Sequence, residues 1–106
     1  MPNPKRVHGP AQVSNAAATK YTVPTNIKAV MRYVHLYNPS GSSVNFTLTI
    51  GADAAAVRLF DAFPVPAAGP YPVWLYEPLV AGEILQAFAG TNNILVLTIS
   101  VDEDAA

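Results

Sequence analysis

The sequence predicts an all-β protein: a single antiparallel β-sandwich, jelly-roll or immunoglobulin-like, of about seven or eight strands with an extended N-terminal arm. Three observations predict it. Apolar residues recur at every second position in several short runs, the period of a strand with one face in a core. Those runs return at intervals of roughly eight to twelve residues, separated by Gly- and Pro-containing turns. Helix is hard to place anywhere; the alanines of DAAAVRLFDA favour one, but its length fits a strand equally well. At 106 residues the chain is one domain.

Residues 1–18 contain Pro2, Pro4 and Pro10 and little periodicity, and read as an extended arm without a core of its own. It is expected to lie across a neighbour or to add a strand to its own sheet. The sandwich is expected over residues 19–101, with strands at Thr19–Val23, Lys28–Asn38, Ser43–Gly51, Ala55–Ala62, Tyr71–Glu77, Glu83–Ala89 and Asn93–Val101. The clearest is VNFTLTI, in which Val44, Phe46, Leu48 and Ile50 point one way and Asn45, Thr47 and Thr49 the other. NPSGSS closes a hairpin, with Pro39 presetting its φ and Gly41 free to take positive φ. GAD, LVAGE and GTNN close others. FPVPAAGPYP reads as a connection outside the ladders, because each proline lacks a donor. Residues 102–106 read as a solvated acidic tail.

Some strands are apolar on both faces. In KAVMRYVHLYN, Val30, Val34 and Leu36 share one side with Arg32, and Met31, Tyr33, His35 and Tyr37 share the other. An arginine facing the core is costly, so a bulge near Arg32-Tyr33 is expected. In YPVWLYEP, Val73 and Leu75 oppose Trp74 and Tyr76. In NNILVLTISV, Ile94 and Val96 lie opposite Leu95, Leu97, Ile99 and Val101. A sandwich buries only its inner faces. The surplus makes Trp74, Tyr76, Ile94 and Val96 candidate subunit contacts. Charged residues are 12% of the chain, about half the usual share, which also fits a surface largely covered by partners. Lys5 and Arg6 are candidates to meet an acidic surface, such as the Asp102–Asp104 tail of a neighbour.

Function classes fall away in turn. The net charge of −1 and scattered cations offer no field for a nucleic acid. MPNPKRVHGP has no apolar signal region, and no run approaches the roughly 18 apolar residues of a membrane span. Synthesis in the cytosol is expected, with no membrane partner. The chain has no cysteine and two histidines, His8 and His35, so no spaced metal-ligand set exists and no metal or cofactor is expected. Asp53, Asp61, Glu77 and Glu83 sit at turns or strand ends. The serines of PSGSS lack a nucleophile elbow, and no Gly-rich phosphate loop is present. The tail lacks the spacing of a calcium loop, and NFT at Asn45 falls inside a strand. An enzyme is not expected. A carbohydrate-binding module is the stronger competitor, because Trp74 with Tyr76, and Tyr33 with Tyr37, have spacings suited to stacking sugar rings; core or interface packing is the ordinary use of such aromatics.

The succession YTVPTNIKAVMRYVHLYNPSGSSVNFTLTIG, RLFDAFPV and LVAGEILQAFAGTNNILVLTISV resembles a group of small virion structural proteins of tailed bacteriophages, over about Tyr21 to Val101. YTVP and AGE are its most telling pieces; the Pro-rich FPVPAAGPYPVWLYEP departs from it. The resemblance implies a non-enzymatic virion subunit made in the host cytoplasm, most specifically a capsid decoration or cement protein. Its implied partners are itself, as a homotrimer, and the major capsid protein or other virion proteins. The alternative is a tail, collar or fibre-associated module that binds the host surface, with glycan one candidate ligand.

Overall fold

The computed structural model describes residues 3–105, with the side chains of Asn3 and Ala55 outside that description. Among them the strands are β1 (Asn3–Gln12), β2 (Ala18–Thr22), β3 (Ile27–Asn38), β4 (Val44–Ile50), β5 (Arg58–Val65), β6 (Gly69–Leu79), β7 (Ile84–Ala89) and β8 (Val96–Ala105). They form two four-stranded antiparallel sheets, ordered β1-β8-β3-β6 and β2-β7-β4-β5. Each strand of the first half pairs with its mirror in the second: β1 with β8, β2 with β7, β3 with β6, β4 with β5. The chain is one long hairpin, rolled so that β8 also meets β3 and β7 also meets β4. This is the jelly-roll order, not the immunoglobulin one.

The core lies between the sheets and is built from the alternation. Phe46 and Leu48 of β4 and Leu85 of β7 face Met31, Leu36 and Ile99 of the first sheet, all fully buried. Each such side chain contributes roughly 1.5–3 kcal/mol by leaving water. The expected bulge is present. Met31 stands opposite Val101 and Tyr33 opposite Ser100, so Arg32 is an extra residue against β8. Its effect differs from the simple alternation: Met31, Val34 and Leu36 point inward, while Val30 joins Arg32, Tyr33, His35 and Tyr37 on the outside.

Several boundaries differ from the sequence expectation. The first two residues of the expected arm and the last of the tail lie outside the described residues. Over Asn3–Gln12 the arm is β1, an outer strand of the protein's own sheet. Pro4 and Pro10 are tolerated there because an edge strand has one unpaired side, and two register shifts erase the alternation. Gly9 takes φ +76° where a Cβ would stand 2.0 Å from the Leu97 carbonyl oxygen, so only glycine fits. The expected acidic tail is the end of β8, and Glu103 continues the inward row of Ile99 and Val101 as a buried residue. Ala55–Val57 is a 3-10 turn before β5. Pro64, Pro70 and Pro72, read as connection, belong to β5 and β6; both are edge strands, where a missing donor costs no ladder bond. The NPSGSS hairpin does not use positive φ at Gly41. Buried Asn38 holds it instead, donating from Nδ2 to the Ser42 and Val65 carbonyls and accepting from the Ser40 amide and hydroxyl.

Candidate functional site

β6 alternates without a break. Tyr71, Val73 and Leu75 pack on the core, and Trp74 and Tyr76 stand outside, 76% and 68% exposed. The β3–β6 pairing then sets Tyr33 opposite Trp74 and Tyr37 opposite Pro70. The two aromatic pairs that the sequence shows on separate strands thus share one surface, the outer face of the first sheet. Their rings are held. Tyr33 and Trp74 have ring centroids 4.2 Å apart at 36°, and the Arg32 guanidinium lies 5.6 Å from the Tyr76 ring centroid. Arg32 also reaches Asp102 of β8, at 3.9 Å.

Two shallow hollows sit side by side on this face. One, of about 410 Å³, has Tyr76, Val30, Pro78 and Val80 as walls and Lys28 and Asp104 at its margin. The other, of about 390 Å³, lies among Trp74, Tyr33, Pro4, Lys5, Arg6 and Ser100. Arg32 and Asp102 line both, forming a shared ridge.

The six residues expected at a contact do not all meet there. Trp74 and Tyr76 do. Lys5 and Arg6 line the second hollow, but Lys5 pairs at 3.3 Å with Glu103 of its own chain. Arg6 is exposed, opposite Ser100, and among the described residues has no ion-pair partner. Val96 is half-buried at the far end of the face, opposite Tyr37. Ile94 precedes β8 and packs against the core. Sequence reasoning did not assign Arg32, Tyr33, Asp102 and Ser100 to one contact surface. The signal was the bulge itself, which turns Arg32 and Tyr33 to the same side.

Behind the second hollow, Lys5 of β1 and Tyr21 of β2 converge on Glu103, tying the two sheets at one margin. The Tyr21 hydroxyl donates to the Glu103 carboxylate. That bond, then Lys5, holds the Glu103 carboxyl below the usual glutamate range against the opposing effect of burial. Burial and Glu103 together raise the Tyr21 hydroxyl far above its ordinary range. His8 of β1 is half-buried with Nε2 unpaired; burial, then the charge of Lys20, lowers its pKa.

The remaining polar groups close turns or clamp loops. Glu83 accepts the Val80 amide, and Arg58 donates to Asp53 and Asp61. Among the described residues no three His, Asp or Glu side chains converge as a metal site, and no helix is long and apolar enough to cross a membrane. Sheet edges are poorly suited to strand addition. The first sheet ends in Pro4 and Pro10 on β1 and in Pro70, Pro72 and Pro78 on β6. The second ends in the five-residue β2 and in β5, which carries Pro64 and two register shifts. Among the described residues, the outer face of the first sheet carries Tyr37, Trp74 and Tyr76, three of the exposed large apolar side chains. No protein-family model matches this sequence, and no curated protein matches it.

Proposed function

We propose that this chain is a non-enzymatic structural subunit of a tailed-phage particle and that it works by contact through the outer face of its first sheet. The observation that carries the contact is the pair Trp74 and Tyr76, held open to solvent on a sandwich whose other large apolar side chains are mostly packed inside. The phage assignment rests on the sequence resemblance over Tyr21 to Val101. Jelly rolls serve both capsids and lectins, so the fold alone does not choose.

Two placements share this surface. As a capsid decoration protein, grouped as a homotrimer and resting on the major capsid protein, the subunit would bury the stripe Tyr37, Trp74, Tyr76 and Val80 against a neighbour. Each Å² of apolar area so buried contributes roughly 25 cal/mol. As a tail, collar or fibre-associated module, the same face would meet the host surface. The face's own chemistry favours this second placement, because fixed charges alternate with the rings and Arg32–Asp102 sits between the hollows, half-exposed. Covering that pair with a dry protein surface would strip its hydration.

Particles carrying Trp74→Ala/Tyr76→Ala subunits separate the readings. Loss of the subunit from purified particles supports decoration. Retained subunit with reduced host adsorption supports the host-facing module. Full retention with unchanged adsorption contradicts contact through this face. Equilibrium sedimentation tests the trimer, which a monomer at high concentration would exclude.

A further inference from the structure

We propose that the two hollows are adjacent subsites for an oligosaccharide bearing a carboxylate, one sugar ring to each. This rests on the outer face being the contact surface and on its host-facing placement.

The dimensions fit. At about 410 and 390 Å³ each hollow lies in the lower range of small-ligand sites, roughly 300–1,000 Å³. Because both contain Arg32 and Asp102, a chain of sugars runs from one to the next along the surface. Each has an aromatic wall, Tyr76 in the first and Trp74 in the second. The C–H faces of a pyranose carry partial positive charge, which meets the negative face of an aromatic ring. Tyr33 behind Trp74 and Arg32 over Tyr76 already fix those rings, so binding costs little side-chain freedom. The shared ridge supplies what hydroxyls require: guanidinium donors from Arg32 and carboxylate acceptors from Asp102.

The hollows differ in charge, and the difference selects the ligand. The second gathers Lys5, Arg6 and Arg32 against Asp102. Lys5 is engaged by Glu103 and Arg32 by Asp102. Arg6 keeps its planar donor fork available, the geometry that grips a carboxylate through two parallel hydrogen bonds. A neutral sugar would leave that group unused.

Trp74 is the sole tryptophan, so its fluorescence reports the second subsite. The full chain is titrated with tetrasaccharides of galacturonate and hyaluronan and with their carboxyl-reduced neutral counterparts, alongside an array of neutral, uronate and sialylated glycans. Saturable binding to acidic glycans is expected, with weaker binding to the reduced forms. By calorimetry, Trp74→Ala weakens binding about tenfold at an unchanged melting temperature. Arg6→Ala removes about a tenfold preference for the acidic form. No saturable response to any glycan overturns the proposal, as does binding indifferent to both substitutions. If no glycan binds but capsid protein shields Trp74, the sugar site fails and the contact face stands. If nothing shields Trp74, both fail.

Discussion

The two outer faces of this sandwich have opposite characters. On the second sheet, several outward polar side chains are tied to the chain itself. The Thr47 hydroxyl accepts the Ala62 amide, and the Thr49 hydroxyl donates to the Gly51 carbonyl. Gln86 accepts the Asp53 amide and donates to Thr19. Arg58 clamps Asp53 and Asp61 while lying 5.7 Å from the Phe88 ring centroid. The segment after β4 thus folds back over its own sheet, leaving Thr47 and Thr49 buried. On the first sheet no described segment folds back. Trp74, Tyr76 and Tyr37 (44% exposed) remain open, and the ion pair among them is long. Polar groups satisfied from within close much of the second face, whereas on the first the rings of Trp74 and Tyr76 stay uncovered.

The sharpest way to break this contrast is to cut the ties of each face. Thr47→Val and Thr49→Val should each cost about 1–2 kcal/mol in urea unfolding, because a buried or half-buried backbone group loses its partner. Trp74→Ala and Tyr76→Ala should change stability by no more than about 0.5 kcal/mol. Equal costs on both faces would erase the distinction.

Acid provides the next test, at the margin of the first sheet. Below the ordinary histidine value of 6.5, the unfolded chain protonates His8 before the folded one does, so stability falls as pH falls. Below the ordinary glutamate value of 4.5, the same sign holds for Glu103, whose folded pKa is depressed. Stability present above that value is lost as pH drops through the folded one. Thermal melting from pH 7 to 3 should show both declines, and hydrogen exchange should show β1 opening first. Glu103→Gln should flatten the lower decline; an unchanged profile in that variant would contradict the role given to Tyr21 and Lys5. The smallest effect is expected at Arg32→Ala, whose ion pair at 3.9 Å with a half-exposed arginine contributes about 0.5 kcal/mol or less to thermal stability. A larger loss would mean that the open face is held together by its charges.

Much of the fold was legible because its physics is local. Val44, Phe46, Leu48 and Ile50 announce β4 without help, and the cost of burying Arg32 announces the bulge. The arm reads as a neighbour's cover or as a strand of its own sheet, and the bounds of β1 cannot be read because two register shifts and two prolines remove the period on which strand reading depends. Pro64, Pro70 and Pro72 misled for a related reason: a proline excludes a central strand, but not an edge, and edge position is decided by distant pairing. Glu103 reads as tail in the sequence because its partners, Tyr21 and Lys5, lie toward the other end of the chain. Within the site, the outward aspect of Trp74 and Tyr76 could be read from β6 alone. Their union with Tyr33 and Tyr37 required the β3–β6 register. Ile94 precedes β8, outside its alternation, and packs in part against the core.

The account depends most on Trp74 being uncovered in the isolated protein and covered at work. Acrylamide quenching of its fluorescence measures this directly, in dilute protein and again after addition of the acidic tetrasaccharide or of assembled particles. Near-free quenching in isolation, with marked protection in one of the two complexes, is the predicted result. A tryptophan shielded in the isolated monomer, or equally quenched in every state, would contradict it.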